Sequence, residues 1–376
     1  MPALQDFRLE TYFSKWEFEA RFHLTASDAQ SMTLRELLDM ANPQDAAAFD
    51  AMWLGYTETF GAADLRAEIA GTYDERTADD ILCFAGAEEG LYIAANVLLT
   101  RGDHAIVVTP NYQAAETVPL SICEVTGVPL DPASGWDLDL DRVAAAIRPS
   151  TRLISINFPH NPTGRIIARE TLDGLIALCR RHGIWLFSDE VYRLLGPDSD
   201  RHLPQVADLY ERGLSLNVMS KAYGLPGLRI GWIACADREL LVRMERMKHY
   251  LSICNSGPSE RLAVIALRAR DGILSRNNAL VRDNLALFDT FFGDHRNLFE
   301  WTRPDGGCVG YPRWTGPGSV DAFATRLVEE AGVLVLPSNI YRSDLGPTPT
   351  DRFRVGFGRA GLSEGLTAFR DHLAQF

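Results

Sequence analysis

The 376-residue sequence is 46% hydrophobic and 23% charged, the proportions of an ordinary soluble globular protein of two or three domains. Its 37 Lys plus Arg against 50 Asp plus Glu leave a net charge of −13, which repels phosphate backbones and anionic membranes and argues against nucleic-acid or membrane partners. The opening MPALQDFRLE lacks the basic head and apolar run of a signal peptide, and the longest apolar stretch, near residues 91–99, is too short to span a bilayer, so a cytoplasmic location is expected. The six cysteines form no C-x-x-C pair and the eight histidines no H-E-x-x-H spacing; buried reduced thiols and no metal are expected.

In chain order, residues up to about 44 set Phe7, Tyr12, Phe13, Trp16, Phe18 and Phe22 among charges, as in an N-terminal arm anchored by apolar side chains. Residues 23–31 are polar and read as a loop, either a packed connection or a segment that touches substrate. A helix is expected over 33–40, with Thr33 and Glu36 forming a capping box, or a box one residue away. Residues 45–73 are helical around a turn at 55–61. A short strand at 81–85 is followed by GAEEG (86–90), which opens a helix with Leu91, Ile93, Ala94, Val97 and Leu98 on its buried side. Small residues at such a turn let backbone N–H groups approach an anion, although plain turn chemistry uses the same residues.

The runs 104–109, 122–126, 153–157, 184–188, 214–218 and 230–235 are short, β-branched and apolar, mostly continuous rather than alternating, as expected of strands buried on both faces. Helical patterns lie between several of them, at 138–147 and 170–182. The layout is α/β with a mostly parallel sheet. Residues 259–292 form one long helical pattern, read as the connection to a second domain. Beyond it come a strand at 307–314, a helix at 320–331, strands at 333–336 and 352–357 and a last helix. The expected division is a large domain over 45–258 and a small α+β domain made of 1–44 with 259–376.

Within this layout, Lys221 ends a short apolar strand and precedes a glycine-rich segment. A lysine drawn partly out of water has its pKa lowered, which frees its amine to attack carbonyls, although most lysines are surface charges. Three loops follow the carboxyl ends of expected strands, where open α/β sheets place ligands: 157–164, 188–192 and the loop of Ser220 and Lys221. Taken singly, N-P-T-G is a good turn and S-D-E a possible helix cap.

Together with AGAEEG (85–90), PNY (110–112), HNPTG (160–164), SDEVY (188–192), SKAYGLPGLRIGW (220–232) and FRVGFGR (353–359), these loops resemble the pyridoxal-5′-phosphate enzymes of fold type I, in the class I/II aminotransferase family. The resemblance implies an α/β PLP-dependent transferase fold, a large domain with a mostly parallel seven-stranded sheet beside a smaller α+β domain. It implies an aminotransferase that moves an amino group from an amino acid to a 2-oxo acid by way of pyridoxamine phosphate, and a homodimer with shared sites. By the same resemblance, Lys221 would form a Schiff base with the cofactor aldehyde and then move the α-proton. Asp189 would pair with the pyridine nitrogen. Asn161 and Tyr192 would hydrogen-bond the ring oxygen O3′, and Tyr112 would stack on one ring face. The phosphate would be held by the amides of Ala87 and Glu88, by Ser220 and Arg229, and by the partner subunit's Tyr56. Residues 252–256 would line the neighbouring site.

Arg354 matches the family position that grips the substrate α-carboxylate, a task suited to a planar bidentate donor. Arg352 and Arg359 are near competitors, and in a strand Arg352 shares a face with Arg354. One departure stands out: Val218 occupies a position where the family often has a phosphate-binding hydroxyl, and Asn217 is a candidate replacement. The same scaffold also runs elimination, replacement, decarboxylation and cyclisation. The polar arm at 23–31 resembles that of capreomycidine-synthase-like enzymes, so a lyase or cyclase is the alternative. A PLP-sensing regulator is a remote third reading, because nothing before residue 45 looks like a helix-turn-helix module.

Overall fold

The computed structural model describes residues 4–197 and 202–374; the ends of the expected small domain, residues 1–3 and 375–376, lie outside this range. Seven strands form the main sheet: β1 (Ile81–Phe84), β2 (His104–Thr109), β3 (Glu124–Pro129), β4 (Thr151–Asn157), β5 (Trp185–Asp189), β6 (Gly213–Val218) and β7 (Gly231–Cys235). Their order is β1-β7-β6-β5-β4-β2-β3, parallel except for β7, which runs antiparallel to both of its neighbours. Every residue of β1, β2, β6 and β7 is buried, because helices cover both faces of the sheet. The expected α/β fold with a mostly parallel seven-stranded sheet is the one observed.

The edge strand β3 is displaced from its expected place at 122–126. Its register runs from His104↔Glu124 to Thr109↔Pro129, so pairing with β2 sets its extent rather than its own apolar pattern. An edge position tolerates Gly127 and the terminal Pro129. The Thr33–Glu36 capping box is present on a shorter helix, Leu34–Leu38. The long pattern at 259–292 is two helices, Gly257–Arg268 and Arg270–Asp294, broken at Ala269, where no glycine or proline marks the break. The first of them packs on the helix Ala63–Ala70 beside the main sheet.

In the C-terminal part, Pro312 splits the expected strand at 307–314 into Val309–Gly310 and Arg313–Trp314, which join different sheets. Phe353–Gly356 pairs antiparallel with Val309–Gly310 on one side and Leu336–Pro337 on the other. A dense aromatic cluster stands behind it, with Trp314 stacked on Phe323 at 4.0 Å and Phe369 in contact with Phe291, Phe299 and Phe353. The N-terminal arm closes the arrangement. Phe22–His23 pairs parallel with Val333–Leu334, and the helix Arg8–Trp16 bridges the two halves: Arg8 N donates to Gln113 Oε1, and Tyr12 Oη donates to Val335 O. All six cysteines are unpaired, and among the described residues no helix is long and apolar enough to cross a membrane.

Candidate active site

The loops after β4, β5 and β6 open into one cavity of about 610 Å³, roofed by the N-terminal arm. Lys221, three residues past β6, points its Nζ into this cavity. The amine donates to Ser27 Oγ at 3.0 Å and lies 5.7 Å from the centre of the Tyr192 ring. Burial lowers its pKa, an effect that Asp28 opposes. Asp189 is the last residue of β5; Val191 N donates to its Oδ1 at 3.2 Å, and burial pushes its carboxyl up to about 6. Tyr192 is buried, hydrogen-bonded to Ser27, and held well above its ordinary pKa by desolvation.

Asn161 is fixed from two sides. Its backbone N donates to Asn157 Oδ1 at 2.9 Å, and its side-chain oxygen accepts from Arg354 Nη1 at 3.1 Å, which leaves the amide NH₂ to donate elsewhere. Asn157 in turn donates from Nδ2 to Asp189 O, tying the β4 loop to the end of β5.

The expected anion site is a cradle at the start of the helix Ala87–Leu98. Gly86, at φ +99°, offers that helix no side-chain cap, so its first amides are open. A Cβ on Gly86 would collide with the Arg229 guanidinium, which therefore lies directly against the turn. Arg229 itself sits at φ 52°, ψ 47°, a left-handed conformation that costs a non-glycine residue about 1–2 kcal/mol. Ala87, Glu88, Ser220 and Val218 complete the wall. Glu88 brings its carboxyl as well as its amide; the carboxyl is hydrogen-bonded to Tyr112 and pushed up to about 7 by burial. Tyr112 also packs on Phe7, ring centres 5.2 Å apart.

Asn217 does not replace the missing hydroxyl. Its Nδ2 donates to Tyr73 Oη and Gln205 Oε1, because strand alternation turns it away from the face on which Leu216 and Val218 line the cavity.

The structure separates the three arginines. Arg354, in Phe353–Gly356, is 1% exposed, lines the cavity and donates to Asn161 and to Thr25 O. Arg352 is paired through an isolated bridge to Arg313 at the other end of the segment from the cavity; it lies over the Trp136 ring and donates to Tyr311 O. Arg359 reaches the cavity but is engaged by Asp28, with bonds of 3.1 and 2.9 Å. Tyr56 does not reach the cavity within one chain: it is 86% exposed, as are its neighbours Trp53 and Leu54 to similar degrees.

Comparison with known proteins agrees with this geometry. The profile of the family described as aminotransferase class I and II matches residues 24–370. The chain belongs to the class I and II aminotransferase family. It is 29% identical to capreomycidine synthase of Streptomyces vinaceus, over 99% of this chain and 94% of that protein. It is 31% identical to the arginine–pyruvate transaminase of Pseudomonas aeruginosa, over 85% of this chain and 82% of that one. Among solved structures, a PLP-dependent aminotransferase from Streptococcus suis superposes with a TM-score of 0.92 at 28% identity, covering 100% and 99% of the two chains. The PLP-dependent cyclase OrfR follows at 0.90 and 26%, with the same coverage. The protein is thus a PLP-dependent enzyme acting on amino acids and 2-oxo acids.

The residues of this aminotransferase fit pyridoxal 5′-phosphate. The cavity holds a partly desolvated amine, a buried carboxyl at the end of the sheet, and a glycine-lipped cradle of open amides closed by an arginine. Arg354 Nε is buried with no hydrogen-bond partner, a further unmet donor on a cavity-lining side chain. Sequence reasoning missed Asn157, Ser27, Asp28, Glu10 and Glu17 as cavity residues. Asn157 opens a loop already singled out; Ser27 and Asp28 lie in the 23–31 loop, for which substrate contact is one of the two readings, while Glu10 and Glu17 come from the arm before it and carry no signal.

Proposed function

We propose that this aminotransferase takes an amino acid with a cationic side chain as its amino donor and passes the amino group to a 2-oxo acid. The observation that carries the reading is an imbalance of charge in the cavity wall. Asp28 is matched by Arg359, Arg354 is assigned to the α-carboxylate, Arg229 to the phosphate and Asp189 to the ring nitrogen. Glu10 and Glu17 then remain as carboxylates without an assigned cation, while Glu88, pushed up to about 7 and bonded to Tyr112, adds only part of a charge. A guanidinium or ammonium is the side chain such a wall favours, and one of the relatives is named an arginine–pyruvate transaminase.

The geometry of the cavity supports the remaining roles. Lys221 is the amine that binds the cofactor and then serves as the base for the α-proton; its lowered pKa supports both tasks. Bound pyridoxal phosphate supplies an aldehyde carbon for the amino group and a ring that accepts the electron pair left behind by the α-proton. With the cofactor bound, Asp189 would hold the ring nitrogen, Asn161 and Tyr192 the ring oxygen, and Tyr112 would lie against one ring face. Ala87, Glu88, Ser220 and Arg229 would hold the phosphate. With Val218 apolar, Ser220 and Arg229 carry a larger share of that contact.

The chain works as a homodimer in which the partner subunit's Tyr56 completes the phosphate site. Exposed apolar side chains at Trp53, Leu54, Tyr56, Tyr250, Leu251 and Ile253 support it, on two segments joined by the Thr57 Oγ1 to Asn255 O bond. The sequence divides the chain into 45–258 and 1–44 with 259–376; the packing of Gly257–Arg268 on Ala63–Ala70 favours moving that seam about one helix later, to Ala269. Six unpaired cysteines suit a cytoplasmic setting.

A second reading, cyclisation or elimination on the same cofactor, is favoured by the full-length likeness to capreomycidine synthase and to the cyclase OrfR. Two experiments decide. Purified protein has an absorbance band near the visible edge that is lost in Lys221→Ala; a colourless protein that cannot be reconstituted with PLP would sink the cofactor assignment. Given L-arginine alone, the holoenzyme releases one equivalent of 2-oxo acid per subunit without ammonia, and turnover resumes on adding pyruvate. Continuous product formation without an acceptor would replace transamination by the second reading.

A further inference from the structure

Residues 24–30 cross the cavity as a strap. Gly356 N donates to Leu24 O at 2.8 Å, Ala29 N to Lys221 O at 3.1 Å and Gln30 N to Gly358 O at 2.8 Å, while Arg354 Nη2 donates to Thr25 O at 2.6 Å. A Cβ on Gly356 would collide with the Ala26 carbonyl, and one on Gly358 with the Asp28 carbonyl, so the strap passes here because both positions lack a side chain. Asp28 is buried and taken by Arg359. Ser27 faces the cavity between two reactive groups. Its oxygen accepts from Lys221 Nζ at 3.0 Å, and its hydroxyl also bonds Tyr192.

We propose that Ser27 is a positioning residue for the Lys221 amine: its hydroxyl is the resting contact of Nζ whenever that amine is free of the cofactor, and the stitched strap fixes where the contact lies. The proposal rests on the reading that Lys221 carries the cofactor. A lysine side chain has four rotatable bonds and a compact charge, and without a fixed partner it samples many positions. An oxygen acceptor 3.0 Å away narrows them and favours the charged form of the amine. Asp28 on the strap, Asp189 at the end of β5, Arg354 from the small sheet, Cys308 and the Tyr192 ring also face this amine. All of them persist when Ser27 is changed, so a change in titration reports the hydroxyl.

The test strips PLP from the holoenzyme and follows its recapture at Lys221 by absorbance across pH. Only the neutral amine attacks the aldehyde. Ser27→Ala removes the acceptor and moves the midpoint of the rate profile down by about one pH unit; Ser27→Thr restores it. Gln30→Ala serves as the control, since the Gln30 side-chain oxygen accepts from Ala360 N at 2.9 Å and touches no reactive group. It slows capture at every pH and leaves the midpoint in place. A wild-type midpoint in Ser27→Ala overturns the proposal, as does an equal shift in Gln30→Ala. If Ser27→Ala folds poorly, Ser27→Gly against Ser27→Thr gives the same reading. Adduct formation in Lys221→Ala instead overturns the cofactor assignment on which the proposal rests.

Discussion

Asp189 ends a strand in a setting that disfavours its own charge. Burial raises its carboxyl to about 6, and a protonated ring nitrogen beside it would pull that value down again. Binding therefore lowers the pKa of this group. The sign follows: its contribution to cofactor affinity is fully present above pH 6 and is lost progressively below 6, down to the lower pKa of the bound state. At pH 5 the advantage of wild type over Asp189→Asn in PLP retention should be about tenfold smaller than at pH 7.5. Equilibrium dialysis of both proteins at the two pH values measures it; a constant ratio would show that Asp189 does not face the ring nitrogen. The motif S-D-E-V-Y named this residue without a structure. The raised carboxyl was not legible, because burial depends on what the rest of the chain places over it.

Among the elements, the strap at 24–30 links the arm to the last strand of the small sheet. Its backbone lies so close to Gly358 that a methyl group there meets the Asp28 carbonyl oxygen. Gly358→Ala should cost about 1–3 kcal/mol of stability. It should also speed amide exchange at Ala29 and Gln30, whose N–H groups bond to Lys221 O and Gly358 O. Unchanged exchange at those two amides would show that the strap is held elsewhere. The glycines of F-R-V-G-F-G-R were quoted in the sequence as part of a motif; their reason, a second backbone crossing some 330 positions earlier in the chain, has no local signal. The capping box at Thr33 and Glu36 was legible because both partners are local. The extent of β3 was not, because it is set by pairing with β2.

Over the whole molecule, one chain assembles almost every expected cofactor contact and leaves Tyr56 outside, next to exposed Trp53 and Leu54. A homodimer accounts for both facts. Sedimentation at micromolar concentration should give twice the 41.7 kDa chain mass. Tyr56→Phe should remain dimeric and release PLP about 10- to 100-fold more readily, the loss of one hydrogen bond to a charged group. A monomer that retains PLP would remove the shared site. Sequence alone determined the α/β class and the mostly parallel sheet, because periodicity is a local property, and its motifs pointed through the family resemblance to Lys221, Asp189, Asn161 and Tyr192, because the residues at strand ends are local too. The tertiary structure decided which arginine enters the cavity, turned Asn217 away and placed Val218 on the wall. It also brought Ser27 to the lysine and Glu10 and Glu17 to the cavity wall, because contacts between segments hundreds of residues apart are set by packing and leave no trace in the spacing of either segment.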